Sequence, residues 1–375
     1  LLECLTPAIQ YAENGFPVAA NTAKMWKRAY ERNLNLYGDK KEFQEWFNTF
    51  TFDGKPPEPF QIVKLPNHAK TLRLIGETQG EAFYKGNLAD QIEADSLAHN
   101  GYLRKKDLEA FESAWVEPLS VNYRGYDVVE LPPSGQGMVA LMALNVFKNK
   151  EVTQRDADYY HEMFEAMKMA FADGMHYITD PLKMRIEPKE LLKESYGKKR
   201  YAQITPEAKI HTHDDPYTSG TVYLNCADEE GNMVSMIQSN YMGFGSGIVV
   251  KDTGISLQNR GADFKLDLSH VNCLAPGKKT YHTIIPGMLM KDGRCVGVFG
   301  VMGGYMQPQG HFQVVSNLLD FQLNPQMALD APRWQWLKEK TFKVESSFDQ
   351  EIVEVLRKRG HDIIVEKDST HFGRG

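Results

Sequence analysis

Residues 219–240 read SGTVYLNCADEEGNMVSMIQSN, and the rest of the chain is best understood outward from them. Thr221 to Ala227 is an expected strand, Asp228 to Asn232 a Gly-containing turn, and Met233 to Gln238 the returning strand of a β-hairpin. A second hairpin is expected where Ile284 to Met290 and Val296 to Val301 flank Lys291-Asp292-Gly293-Arg294. Gly303-Gly304 then leads into a helix over about Gly310 to Phe321, and the chain ends in strand Phe342–Glu345, helix Asp349–Arg359 and strand Asp362–Val365. Upstream the texture is helical. Leu5, Ile9 and Ala12 share one stripe, Gly15-Phe16-Pro17 breaks it, and a second amphipathic stretch runs from Asn21 to Leu36. Thr51 to Pro59 reads as a loop, Ala69–Ile75 and Gly80–Ala94 as helical, and a short helix starts around Asp107. Val121 to Leu131 reads as one strand, closed by Pro132-Pro133-Ser134-Gly135-Gln136-Gly137 before a long helix. From Asp156 to Asp173, Tyr159, Met163, Met167 and Ala170 or Phe171 fall on one face behind an Asp N-cap, the pattern of a core helix. Helix-rich first and hairpin-rich after residue 220, the order predicts sheets covered by helices.

Composition narrows the function. The 375 residues are 42% hydrophobic and 25% charged, with 48 Gly and Pro together, which excludes a disordered, collagen-like or disulfide-stapled chain. Forty-three Lys and Arg against 49 Asp and Glu leave a net charge of -6, so no basic field exists to attract nucleic acid or an anionic membrane. No apolar run approaches the roughly 18 residues of a membrane span, Gly137 to Phe147 being the longest, and the chain reads as soluble. It opens at Leu1 with Glu3 inside what would be a signal h-region, so no secretory peptide is visible. Cys4, Cys226, Cys273 and Cys295 form no CxxC pair, which argues against a zinc knuckle or redox dithiol and fits buried small hydrophobes.

Several local patterns invite chemistry and fail on spacing. His211, His213, Asp214 and Asp215 lack the remote partners of a zinc site and fit a solvated loop. Ser134 follows a strand, but Pro133 stands where a nucleophile elbow needs glycine nearby. Gly300 to Gly304 reads GVMGG after a hairpin, without the GxGxxG spacing that opens a dinucleotide-binding unit. Ser219-Gly220-Thr221 is more informative. Cutting the Gly220–Thr221 bond would give Thr221 a hydroxyl nucleophile and an α-amine of ordinary pKa about 7.7–8.0, suited to general-base work. The plain alternative, a β-branched residue starting a strand, fits the local sequence as well.

Longer motifs separate the two. TVYLNCADEEGNMVSMIQSNYMGFGSGIVVKDTGISLQNRGADF (221–264), LAPGKKTYHTIIPGMLMKDG (274–293), GVMGGYMQPQ (300–309) and LDAPRWQW (329–336) resemble, in order and spacing, the small subunit of the γ-glutamyltransferases, self-processing N-terminal-nucleophile hydrolases. LTPAIQYAENGFPVAANTA (5–23), EAFYKGNLADQI (81–92), the stretch 103–137 and FEAMKMAFAD (164–173) resemble the later part of that family's large subunit. The resemblance covers essentially the whole chain and is nearest the acylase-like branch. It implies an α+β fold, a four-layer αββα sandwich, in which residues 1–220 are a partial large-subunit segment and 221–375 a small-subunit segment, interleaved in one domain. The family's subunits extend upstream of Leu1 and past Gly375, so truncation at both ends is expected.

The resemblance also implies cleavage between Gly220 and Thr221, with Thr221 as nucleophile, Ser239 as the hydroxyl that orients it, and the amides of Gly303 and Gly304 as an oxyanion hole. Asp263 matches the carboxylate that holds the donor's α-ammonium, and Asn259 lies in the same substrate-facing loop. Three places depart from the transpeptidases. Tyr241 stands where Asn is usual, Arg260 where Gln or Glu sits beside the ammonium, and His282-Thr283 where a Ser-Ser pair grips the α-carboxylate. Because a guanidinium repels an ammonium and can hold a carboxylate in bidentate fashion, these changes point to altered recognition around unaltered chemistry. The expected activity is hydrolysis of γ-glutamyl amides through a threonyl acyl-enzyme, favoured over transpeptidation. The alternatives are a glutaryl or cephalosporin side-chain acylase and an uncleaved relative that binds acidic amino acids. No metal or organic cofactor is implied. The expected partner is a small γ-glutamyl or dicarboxyl-monoamide substrate, with the cleaved halves staying together as a dimer of heterodimers.

Overall fold

The computed structural model describes residues 1–211 and 220–375, which fall into two compact units. The first unit comprises Leu1–Trp115 and Gly243–Asn259. It contains α1 (Leu2–Asn14), β1 (Phe16–Pro17), α2 (Ala20–Tyr37), α3 (Gln44–Phe50), β2 (Ile62–Val63), α4 (Pro66–Glu77), α5 (Glu81–Tyr84), α6 (Asn87–Ala98) and α7 (Lys105–Glu109). The helical stripe of α1 buries Ile9 and Ala12 against Ala69 of α4. A second small core gathers Trp26, Trp46 and Phe50, and the 243–259 segment joins it through Phe244, 4.6 Å from the Phe50 ring. The helix expected over Gly80–Ala94 is two helices: α5 ends at Tyr84 and α6 begins at Asn87 behind Gly86, where an added Cβ would lie only 2.9 Å from the Ala82 α-carbon.

The second unit comprises Val116–Met242 and Arg260–Gly375. Its elements are β3 (Leu119–Tyr123), β4 (Tyr126–Glu130), α8 (Gly137–Phe147), α9 (Ala157–Tyr177), α10 (Pro188–Leu191), α11 (Glu194–Tyr201), β5 (Gly220–Ala227), β6 (Met233–Tyr241), β7 (Gly287–Lys291), β8 (Arg294–Phe299), α12 (Met306–Leu319), α13 (Pro325–Asp330), β9 (Trp334–Lys338), β10 (Thr341–Glu345), α14 (Gln350–Lys358) and β11 (Asp362–Glu366). An antiparallel sheet runs in the order β3-β4-β7-β8, and β5 pairs with β6 as the expected hairpin. The hairpin lies against β8, where Ser235 Oγ donates to the Phe299 carbonyl at 3.3 Å. In the third sheet β9 and β10 are antiparallel, whereas β10 and β11 are parallel and joined by α14, as a parallel pair requires a crossover. Helices α8, α9 and α12 fill the space between the four-stranded and three-stranded sheets.

Burial explains that arrangement. Every residue of α8 is buried, so the run that is too short to span a membrane is the central core helix. The α9 stripe of Tyr159, Met163, Met167, Ala170 and Phe171 is buried as expected, and Asp156 caps the helix by accepting from the Tyr159 N–H at 2.8 Å. On the same helix Phe164 stacks on Phe342 of β10 with centroids 3.9 Å apart. Truncation to Phe164→Ala is expected to cost about 3–5 kcal/mol, read as a lower urea midpoint with an unchanged slope.

Three expectations need correction. Val121–Leu131 is not one strand. Arg124 and Gly125 both take positive φ, 53° and 82°, and make the two-residue turn of a tight hairpin between β3 and β4. The cysteines are not buried: Cys4 and Cys226 are exposed and Cys273 and Cys295 partly so, because Cys226 sits on the outward face of β5 with Val222 and Leu224. His211 is not a free loop residue, since its Nε2 lies 3.4 Å from Glu165 Oε2. His213, Asp214 and Asp215 lie outside the described residues.

Candidate active site

Thr221 is the second residue of β5, at an irregularity in the hairpin. Gly220 pairs with Tyr241 and Val222 with Gln238, so Thr221 alone opposes Ser239 and Asn240. A bulge of this kind turns side chains out of the regular pleat. It brings Thr221 Oγ1 to Ser239 Oγ at 3.1 Å, with the threonine hydroxyl donating. Ser239 Oγ also accepts the Tyr241 N–H at 2.9 Å. Tyr241 itself has φ 79°, a left-handed conformation that costs a bulky residue about 1–3 kcal/mol and persists only where its surroundings hold it.

Those surroundings are a polar cluster. Asp263 Oδ1 accepts from Tyr241 Oη at 2.8 Å and from Tyr305 Oη at 3.1 Å. Asp263 Oδ2 is buried with no hydrogen-bond partner among the described residues. Burial pushes this carboxyl up to about 6, although the two tyrosine hydroxyls and the Arg260 charge act to hold it down. Arg260 stands over the Tyr241 ring, 5.6 Å from its centroid. Its Nη2 donates to the Ser239 carbonyl at 3.0 Å and its Nη1 to Thr283 Oγ1 at 3.4 Å. Thr283 is fully buried, and its carbonyl accepts from Gln136 Nε2 at 2.9 Å. The same Gln136 amide donates to the Gly304 carbonyl at 2.8 Å, while Tyr281 Oη donates to Gln136 Oε1 at 3.1 Å.

Gly303 and Gly304 take φ 134° and 60°, which glycine adopts without the penalty a side chain would bring. They feed directly into α12, whose first turn carries Gln307 to 3.4 Å from Thr221 Oγ1. His282 lies beside Thr283 with its ring toward Gly135 rather than in the Arg260–Asp263 cluster. Burial, with help from Arg260 and Lys279, lowers its pKa to about 4, so the imidazole is neutral. Asn259 immediately precedes Arg260 but belongs to the first compact unit. The expected residues Thr221, Ser239, Tyr241, Arg260, Asp263 and Thr283 therefore form one chain of contacts, joined to Gly304 through Gln136. Gln136, Tyr281, Tyr305 and Gln307 were not anticipated. Only Gln307 had a usable signal, three residues beyond a Gly-Gly turn into a helix.

A second buried polar group lies elsewhere in this unit. One ligand atom each from His161, Glu165 and His361 fall within 4.8 Å of one another, a set of types that could hold a metal. Their partners are already present. His161 Nδ1 and His361 Nε2 share a hydrogen bond at 2.8 Å, His161 Nε2 meets the Thr205 carbonyl, and the Lys168 ammonium is 2.5 Å from Glu165 Oε1. A dication beside that buried ammonium would be repelled, so the cluster is an internally paired polar core, although His361 Nδ1 has no hydrogen-bond partner among the described residues.

Comparison with known proteins makes the chain an enzyme of the N-terminal-nucleophile hydrolase kind. The chain belongs to the gamma-glutamyltranspeptidase family, whose pattern it matches over residues 1–375. It is 37% identical to the glutathione hydrolase-like YwrD proenzyme of Bacillus subtilis (strain 168), over 98% of this chain and 70% of that protein. It is 33% identical to the oxamate amidohydrolase proenzyme of Klebsiella pneumoniae, over 97% of this chain and 69% of that one. Among solved structures, the cephalosporin acylase from Bacillus halodurans superposes with a TM-score of 0.95 at 51% identity, covering 99% of this chain and 69% of its own. The α+β fold is that of this family. No helix among the described residues is long and apolar enough to cross a membrane.

Proposed function

We propose that the protein is a self-processing amidohydrolase whose nucleophile is Thr221, released by cleavage after Gly220. In processing, Thr221 Oγ adds to the Gly220 carbonyl carbon, the Gly220–Thr221 C–N bond breaks, and the proton moves to the departing nitrogen, which becomes the Thr221 α-amine. Water then hydrolyses the resulting ester and leaves a Gly220 carboxylate. In turnover, the α-amine takes the hydroxyl proton as Oγ adds to the substrate amide carbonyl, with the amides of Gly303 and Gly304 receiving the oxyanion. Collapse breaks the substrate C–N bond, the amine leaves with the proton, and water cleaves the threonyl ester. The four-layer αββα arrangement is part of this reading, with α8 packed on β3 and β4 of the four-stranded sheet and the β5–β6 hairpin against β8.

The single observation that carries it is the Thr221–Ser239 contact at 3.1 Å, set by the bulge opposite Thr221. The unmet Asp263 Oδ2 supports a γ-glutamyl donor, because a donor's α-ammonium supplies the missing partner for a buried carboxylate oxygen. Arg260 supports a second reading. Its guanidinium, beside the same cluster, suits a free carboxylate such as that of a glutaryl amide, and the chain's likeness to a cephalosporin acylase agrees. Steady-state assays with γ-glutamyl and glutaryl chromogenic amides separate them, and equal or better turnover of the γ-glutamyl amide rejects the glutaryl reading. Water is the preferred acceptor, so strong acceleration by a dipeptide acceptor counts against the proposal.

The pH dependence is specific. Asp263 is neutral below about 6 and anionic above it, so kcat/KM for a γ-glutamyl amide rises as pH increases through that value. Asp263→Asn should lose this limb and weaken the γ-glutamyl substrate by roughly 10- to 100-fold, the worth of a charge-assisted contact. A limb that survives the substitution assigns the titration to another group.

A further inference from the structure

The contact between Gln307 and Thr221 has no counterpart in the expectations drawn from sequence. Gln307 is fully buried in the first turn of α12. Its Oε1 accepts the Ile285 backbone N–H at 3.1 Å, and a backbone N–H can only donate, so the amide cannot be turned the other way. The orientation of Nε2 is thereby fixed toward Thr221 Oγ1, at 3.4 Å. The threonine proton is meanwhile directed to Ser239 Oγ. One lone pair of Oγ1 faces the Gln307 donor, and the other is left to attack. A neutral amide contact at this length is weak in the resting state. It strengthens as Oγ1 gains negative charge, when the bond becomes charge-assisted and shortens.

We propose that Gln307 is a positioning residue for the nucleophile: it sets the direction of the Thr221 lone pairs and stabilises the developing charge on Oγ1 during both self-processing and amide hydrolysis. The inference rests on the reading of Thr221 as the nucleophile. Because Gln307 reaches the hydroxyl oxygen, with Arg260 and Asp263 assigned to the substrate's head, its effect belongs in kcat rather than KM.

The test is Gln307→Glu in the full-length protein. Glutamate keeps an oxygen for the Ile285 N–H and replaces only the donor facing Thr221 with an acceptor. The expected result is slower processing on gels and a kcat lowered by roughly 10- to 100-fold with KM within about threefold, a loss below that of a well-aligned oxyanion donor. In the processed enzyme the new carboxylate also raises the pKa of the nearby α-amine, so the acid limb of kcat moves to higher pH. Gln307→Met, similar in length and without a donor, should lower kcat without moving the limb, and it serves if the glutamate variant fails to fold. A kcat within threefold of wild type in either folded variant overturns the proposal, as does a loss confined to KM. If Thr221→Ala is inactive while Gln307 variants are fully active, the inference fails and the nucleophile assignment stands. If Thr221→Ala retains activity, it is the underlying reading that fails.

Discussion

Thr221→Ala is expected to remain a single polypeptide and to lose turnover by on the order of 10⁶-fold, the scale seen when a nucleophile that works in concert with its base is removed. Both losses follow from one atom. The hydroxyl that would attack the Gly220 carbonyl is the same one that would attack substrate, and without cleavage the nitrogen stays an amide and cannot act as a base. Folding should survive. Thr221 Oγ1 contributes one hydrogen bond to Ser239, whose Oγ still accepts the Tyr241 N–H, and one to Gln307, whose Oε1 stays on Ile285. The melting temperature should therefore change by only a few degrees, since a single hydrogen bond is worth about 1 kcal/mol. Thr221→Ser keeps hydroxyl and amine and should restore cleavage and much of the turnover. An inactive serine variant that is nonetheless cleaved would point to the γ-methyl as a positioning contact.

Lys168→Met is expected to cost about 3–5 kcal/mol of stability, on a par with Phe164→Ala. Lys168 and Glu165 are both wholly buried on α9, with Nζ 2.5 Å from Oε1. Burial acts to raise the Glu165 carboxyl, but the His211 contact and the Lys168 ammonium outweigh it and hold it below its ordinary value. Removing the ammonium leaves an anion in the core with no full counter-charge. The pair also holds the chain at Lys209, since Lys168 Nζ donates to the Lys209 carbonyl at 2.7 Å and the Lys209 N–H reaches Glu165 Oε1 at 3.4 Å. A urea midpoint should record the loss. Lys168→Met combined with Glu165→Leu should recover a substantial part of it, because the double change removes both charges and replaces them with packing. Equal loss in the single and double variants would mean that the ammonium stem, rather than the charge, matters.

These two residues also show where sequence was informative and where it was not. The β5–β6 and β7–β8 hairpins were legible because each turn carries glycine, and Asp292-Gly293 takes positive φ at both positions. The β3–β4 hairpin was hidden because Arg124 occupies a left-handed position that its side chain gives no reason to expect. Strand β9 was missed because WQWLK is buried at Trp334, Gln335 and Trp336 in succession and lacks the alternation of a half-exposed strand. The apolar face of α9 was readable from its spacing, yet nothing local said that His161, Glu165 and Lys168 on its other faces are buried too, since their partners come from residues 205, 209, 211 and 361. The site behaved similarly. Thr221 and Ser239 lie on paired strands of one hairpin, but it was the family resemblance that singled out Ser239, since the expected returning strand stopped at Gln238. Tyr305 and Gln136 approach from distant segments, and only the folded chain brings them to Asp263 and Gly304.

The mass of the C-terminal fragment from the purified full-length protein tests the central claim most directly. A fragment whose first residue is Thr221, absent in Thr221→Ala and present in Thr221→Ser, is the predicted result. An active preparation in which the chain is unbroken, or is cut so that Thr221 is not the new terminus, contradicts it.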